Sequence, residues 1–141
     1  MSYNNFQGSK YDKNMTINDI TKAIKNDIKE AIKNNELPEI QVSVRSNKYS
    51  MGCSINMTVT ECGYSVKNPE WFRLIDENKL DHETRVAMAP CGWMTRESYN
   101  VLRKLEEIAN AYNYDSSDLQ TDYFDSRFCL NVTHSFKLEQ R

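Results

Sequence analysis

Residues 39–61 combine an alternating pattern with side chains suited to binding a partner or a ligand. Apolar and polar positions alternate strictly in two runs on either side of a loop, as in a β-hairpin with one buried face and one polar face. A guanidinium and an aromatic ring can hold a phosphate and a base, and an amide adds specific hydrogen bonds. An ordinary solvated sheet face would show a similar pattern. The predicted binding residues are Arg45, Lys48, Tyr49 and Asn56.

A second candidate surface is acidic and lies in residues 113–125. Aspartates recur there with no basic residue among them, and aromatic residues lie between them. Such a segment can imitate the charge of nucleic acid and occupy a basic groove of a protein. A divalent cation is the less favoured ligand, because the spacing matches no calcium loop, and solvated turn or cap aspartates are the remaining alternative. The predicted binding residues here are Asp115, Asp118, Asp122 and Tyr123.

Catalytic chemistry is not predicted. A nucleophilic mechanism needs a base beside the nucleophile, and the chain has two histidines. His82 falls in a charged segment without an evident partner, and His134 falls on the apolar register of a strand, where a core histidine with a satisfied ring is the better interpretation. The four cysteines show no CxxC spacing and are interpreted as small buried apolar residues. We expect no enzyme activity, no cofactor and no metal.

The composition restricts the class of protein. A chain of 141 residues with 27% charged and 39% hydrophobic residues fits one globular domain. Its net charge of -2 provides no overall basic field for nucleic acid or anionic lipid. No apolar run approaches the length of a membrane span, and no hydrophobic signal segment follows Met1. We therefore expect a cytoplasmic protein that contacts no membrane, and the oligomeric state stays open.

The elements that would position these residues follow from the periodicity of the sequence. Apolar residues at steps of three and four predict helices over 17–34 and 96–112, the first capped by Thr16. Alternation predicts a last strand over 127–136. We predict an α+β fold in which the hairpin 39–61 and this strand form an antiparallel sheet of three or more strands. Both helices should pack mainly on one face of that sheet.

The predicted domain organisation is simple. A flexible arm over 1–14 precedes a single domain over 15–137, and a charged tail follows over 138–141. Within the domain, 76–85 is predicted to be a charged surface loop. Apart from a short helix that begins at an Asn-Pro pair, the structure and role of 63–93 are left open.

Two groups of residues carry a resemblance to a known family. The first group follows the isoleucine-rich helix, and the second precedes the last strand. The residues are Val44-Arg45-Ser46, Tyr49-Ser50, Gly52 and Ser54-Ile55, then Asn113-Tyr114-Asp115, Ser117-Asp118 and Asp122-Tyr123-Phe124-Asp125. In these the chain resembles the twenty-ninth of the domains associated with large polyvalent proteins. Such domains belong to phages, plasmids and conjugative elements, so the resemblance implies a genetic context and no catalytic mechanism.

Binding chemistry and this resemblance together predict a non-enzymatic accessory protein of a phage or other mobile element. Its most concrete form is a counter-defence protein that inhibits a host immune complex such as CRISPR by protein binding. The expected partner is a host or element-encoded protein with a basic groove. The alternatives are a protein that binds a nucleotide and sequesters an immune signal, and a small RNA- or DNA-binding module.

Overall fold

The computed structural model describes residues 3–50, 52–118 and 126–139. Helices and strands alternate irregularly along the chain, as expected for an α+β fold. Their bounds are β1 Tyr3–Gln7, α1 Ile17–Lys33, β2 Ile40–Tyr49, β3 Gly52–Cys62, α2 Pro69–Asp76, α3 His82–Met88, α4 Arg96–Asn110, β4 Tyr114–Asp118, β5 Cys129–His134 and α5 Phe136–Glu139.

The main sheet has three strands in the order β2-β3-β5. The hairpin of β2 and β3 is antiparallel, as predicted, with Arg45 opposite Asn56. The last strand also joins this sheet, but it runs parallel to β3, and the prediction of a fully antiparallel sheet was wrong in this respect. A parallel neighbour needs a long crossover connection, and the chain between β3 and β5 contains three helices that provide one. The predicted α+β class is confirmed.

Helix α1 covers the apolar face of the hairpin. Thr16 caps it: the Thr16 hydroxyl accepts from the Asp19 amide at 3.1 Å, and the Asp19 carboxylate accepts from the Thr16 amide at 3.1 Å. Helix α4 packs against both α1 and β5, so the two long helices share one face of the sheet, as predicted. The least exposed apolar side chains of this core are Ile20, Ile24, Ile55, Met57, Val59, Leu105 and Ala109.

The beginning of the chain is not the flexible arm that the sequence predicted. Strand β1 pairs antiparallel with β4 to form a separate two-stranded sheet. The chain then passes so close to the end of α4 that a Cβ on Gly8 would lie 2.3 Å from two backbone oxygens. Only glycine fits there, because real Cβ contacts are not that short. The predicted charged tail is also partly ordered, since Leu138 of α5 is buried in the core.

Two short helices follow the hairpin, and the second of them enters the predicted surface loop. Asn68 caps α2 and Pro69 occupies its first position, as the Asn-Pro pair indicated. The loop predicted over 76–85 is wrong in its second half, because α3 begins at His82. The Asp81 carboxylate accepts from the Thr84 amide at 2.8 Å, and this cap is a signal that the sequence contained.

Candidate functional site

The polar side chains of the main sheet lie on the face opposite the helices. Because residues alternate along each strand, the register brings together three rows that cross β2, β3 and β5. We call this set of nine residues the open face. The rows are Ser43–Thr58–Thr133, Arg45–Asn56–Asn131 and Asn47–Ser54–Cys129. All nine are exposed or half-buried.

The central row contributes two side-chain amides, of Asn56 and Asn131, and the guanidinium of Arg45. The Asn131 amide nitrogen donates to the Asn56 side-chain oxygen at 2.9 Å, which links β5 to β3 across the surface. Arg45 lies next in the row, is exposed, and has no side-chain hydrogen bond or ion pair among the residues that the structure describes. Its guanidinium therefore keeps all of its donors for a carboxylate or a phosphate.

Tyr49 stands at one end of the open face, on the same side of β2 as Arg45. Its side chain is 46% exposed, and its ring lies over Gly52, where an added Cβ would be 3.9 Å from Cε2. The hydroxyl is 3.4 Å from the Cys53 carbonyl oxygen and 3.6 Å from the Cys129 sulfur. The hydrogen bond with the Cys129 thiol raises the pKa of Tyr49 above its ordinary value of 10.0. The ring is thus an aromatic surface held in place beside the polar rows.

Lys48 does not belong with the other predicted hairpin residues. It lies opposite Cys53, whose side chain is buried toward the helices, so Lys48 is on the helix side of β2. It is exposed because it lies near the tip of the hairpin, beyond the core. The structure therefore joins Arg45, Tyr49 and Asn56 on one surface and places Lys48 on the other.

The acidic residues of the second candidate surface are only partly described. Asp115 and Asp118 lie in β4, so the chain is a strand here. Asp115 is half-buried, pairs with Phe6 of β1 and forms a bridge with Ser126. Asp122 and Tyr123 lie outside the described residues. What is described of this segment supports strand pairing more directly than a surface for binding.

The two histidines lie in different environments, since His134 is buried and His82 is exposed. His134 is 4% exposed, and its Nε2 lies 2.7 Å from the Tyr64 hydroxyl. Burial lowers the pKa of His134 below its ordinary value and raises that of Tyr64 above its own. The interpretation of His134 as a satisfied core histidine is confirmed. His82 is exposed at the first position of α3.

Three residues of β5 were missed as candidates: Cys129, Asn131 and Thr133. Their alternation with apolar neighbours was visible in the sequence, but only the register with β3 shows that they extend the same surface. In the ranges 3–50, 52–118 and 126–139, no three His, Cys, Asp or Glu side chains are grouped so that they could hold a metal ion.

Within its described part, the chain has no helix of the length and hydropathy that crossing a membrane requires.

Comparison with protein-family models, with curated protein sequences and with solved structures finds no match to this chain. Known proteins therefore add no assignment to this site.

Proposed function

We propose that this chain is a non-enzymatic binding protein of a phage or other mobile element and that its open face docks on a protein of a host immune complex such as CRISPR. The mobile-element context is supported by the resemblance in residues 44–55 and 113–125. The docking surface is supported by Arg45 in the central row, whose guanidinium has no partner among the described residues.

A protein partner suits the chemistry of this surface. Arginine and tyrosine are among the residues that contribute most to protein interfaces, and short polar side chains allow the partner to approach the sheet closely. The guanidinium of Arg45 would pair with a carboxylate or backbone carbonyl of the partner. Tyr49 would supply apolar contact area at the end of the same face. This role needs no reacting group, which agrees with the use of His134 in the core.

The second candidate function is capture of a nucleotide signal, and one observation favours it. Arg45 and Tyr49 are on the same side of β2, so one ligand could contact both a guanidinium and an aromatic ring. Phosphate and base are groups that these side chains hold in other proteins. The amides of Asn56 and Asn131 would then contact the edge of the base.

The proposal is tested by plasmid interference in a bacterium with an active CRISPR system. Cells would express the wild-type chain, Arg45→Ala or the control Lys48→Ala, which removes a cation from the opposite side of the same strand. We expect the wild type and Lys48→Ala to restore transformation by the targeted plasmid and Arg45→Ala to lose this effect. Equal activity of all three proteins would exclude the open face, and no activity in any would exclude inhibition of that system.

The nucleotide alternative is separated by thermal denaturation of the purified protein. A sponge should be stabilised by a mononucleotide, dinucleotide or cyclic oligonucleotide, and Arg45→Ala should remove the shift. For a protein-binding surface we expect the melting temperature to be unchanged by each of these ligands.

A further inference from the structure

Strand β2 forms one edge of the main sheet. The strand order is β2-β3-β5, so β2 has a hydrogen-bonded neighbour on one side only. Tyr49 pairs with Gly52 at the tip of the hairpin, and residues that flank so tight a turn exchange hydrogen bonds with each other. Counting back from Tyr49, every second residue therefore bonds to β3, and Val42, Val44 and Ser46 turn their backbone N–H and C=O groups outward. Among the described residues, these outward groups have no hydrogen-bond partner.

The edge of β2 can accept another strand. Its pairing with β3 is regular over residues 42–49, and a register shift lies at the other end, between Gln41 and Val42. β2 contains no proline, so two features that commonly block the addition of a strand, a bulge and a proline, are absent from residues 42–49. An extended peptide can therefore hydrogen-bond to the outward groups, as in other cases of β-strand addition.

Helix α1 lies above this edge. It packs on β2, whereas α4 packs against α1 and on β5, which is at the other side of the sheet. Asp27 marks the side of α1 that faces α4. It lines the depression between the two helices, and its carboxylate accepts from the hydroxyl of Tyr112, just beyond α4. The opposite side of α1 therefore faces the outer edge of β2.

That opposite side of α1 carries a row of lysines. Lys25 and Lys29 lie two positions before and after Asp27, which is about 200° round the helix in either direction. Lys22 and Lys33 extend the row at steps of three and four residues. All four lysines are exposed, and none has an ion pair among the described residues. The outer edge of β2 is thus bordered by ammonium groups.

The acidic residues nearby do not pair with this lysine row. Asp27 pairs with Lys10 at 2.9 Å, and Glu30 lines the same depression toward α4. Asp19 is held at the start of α1 by the capping box, and Glu39 precedes β2 at its irregular end. A second copy at this edge would bring two lysine rows together and be repelled, whereas a strand with alternate carboxylates would be attracted.

We propose that the outer edge of β2 binds an extended acidic segment of a partner protein, which adds to the main sheet as a fourth strand. The main chain of the segment bonds to Val42, Val44 and Ser46. Its alternate carboxylates lie on the helix side of the sheet and face the lysine row of α1. A peptide uses both features of the edge, whereas single-stranded nucleic acid would pair phosphates with the lysines and leave the backbone groups of β2 unused. This inference does not depend on the function proposed for the open face.

The test measures the binding of capped peptides of about eight residues, long enough to span 42–49, in which threonine alternates with glutamate or with lysine. Titration calorimetry gives the affinities, and hydrogen exchange followed by NMR locates the peptide. We expect the glutamate peptide to bind at least about tenfold more tightly than the lysine peptide. When it is bound, the amides of Val42, Val44 and Ser46 should exchange more slowly, because they gain acceptors.

N-methylation of the glutamate peptide tests the main-chain hydrogen bonds separately from charge. Alternate N–H groups of a strand point to opposite edges, so one peptide is methylated at every glutamate and another at every threonine. We expect one of them to bind at least about tenfold more weakly than the parent peptide and the other to stay within about threefold of it. Equal affinities of the two methylated peptides would overturn strand addition.

Matched variants test the lysine row. Lys25→Gln with Lys29→Gln should weaken the glutamate peptide by about tenfold. The control Lys79→Gln with Arg103→Gln removes the same charge from exposed positions after α2 and on α4, and should change the affinity by less than about twofold. Absence of binding, or equal binding of the glutamate and lysine peptides, would overturn the proposal. Tighter binding of a thymidine oligonucleotide would overturn it in favour of nucleic acid, and a dimer in light scattering that Ser46→Pro abolishes would overturn it in favour of a second copy.

Discussion

Truncation of Ile28 tests whether α1 and the hairpin share the core that the fold requires. Ile28 is 5% exposed and lies in one cluster with Val44, Ile55 and Met57. Replacement by alanine removes three carbon atoms, which lose about 2.4 kcal/mol of transfer free energy at about 0.8 kcal/mol each. The cavity left behind adds to this loss, so we expect a total of about 3 kcal/mol, within the range of about 2–5 kcal/mol for buried isoleucine.

Urea unfolding and thermal denaturation would measure this change. For a domain of this size, about 3 kcal/mol corresponds to a fall in melting temperature of about 10 °C. Ile75→Ala is the matched control, because it removes the same atoms from a side chain that is 48% exposed on α2. An Ile28→Ala protein as stable as wild type, or a control that loses as much stability, would refute the packing of α1 described above.

Three further predictions concern stability. Tyr64→Phe leaves the buried His134 Nε2 without its partner and should lower the free energy of unfolding in urea by about 1–3 kcal/mol. The control Tyr99→Phe should lower it little, since the Tyr99 hydroxyl has no hydrogen bond among the described residues. Burial lowers the pKa of His134, so below the ordinary value of 6.5 the unfolded chain binds a proton that the folded chain does not. The free energy of unfolding should therefore fall as pH drops below about 6.5, less steeply in His134→Gln, and an identical pH profile would count against this cause. Thr16→Ala removes the cap of α1 and should cost about 1 kcal/mol by the same measurement, so unchanged stability would argue against the capping box.

The long helices and the hairpin were predictable because their signals are local. The isoleucines of α1 recur at helical steps and Thr16 precedes them, so periodicity and cap agree on one element. The alternation in β2 and β3 assigns Arg45 and Asn56 to the polar face without any knowledge of the third strand.

The orientation of β5 could not be predicted in this way. Alternation identifies a strand and its two faces, but it is the same for a parallel and an antiparallel neighbour. Asn131 therefore could not be placed beside Asn56, although both were on polar registers. Strand β1 was missed for a related reason: its sequence is polar, and its pairing with β4 depends on residues more than a hundred positions away.

The placement of Lys48 is the most instructive error at the candidate site. Proximity in sequence suggested that Arg45, Lys48 and Tyr49 act together, yet the period of two along a strand places an odd and an even position on opposite faces. The rule was available from the sequence and would have removed Lys48 from the set.

The most direct test of the proposed docking surface is the affinity of purified variants for a purified immune complex, chosen as one whose inhibition by the wild-type chain plasmid interference has demonstrated. Arg45→Ala removes the guanidinium from the open face, and Lys48→Ala removes a charge of the same sign from the opposite side. We expect Arg45→Ala to raise the dissociation constant by about thirtyfold, the loss of about 2 kcal/mol typical of a central interface arginine. Lys48→Ala should change it by less than about twofold, and both proteins should keep the wild-type melting temperature. Equal affinities of Arg45→Ala and wild type would contradict the assignment of the open face as the binding surface.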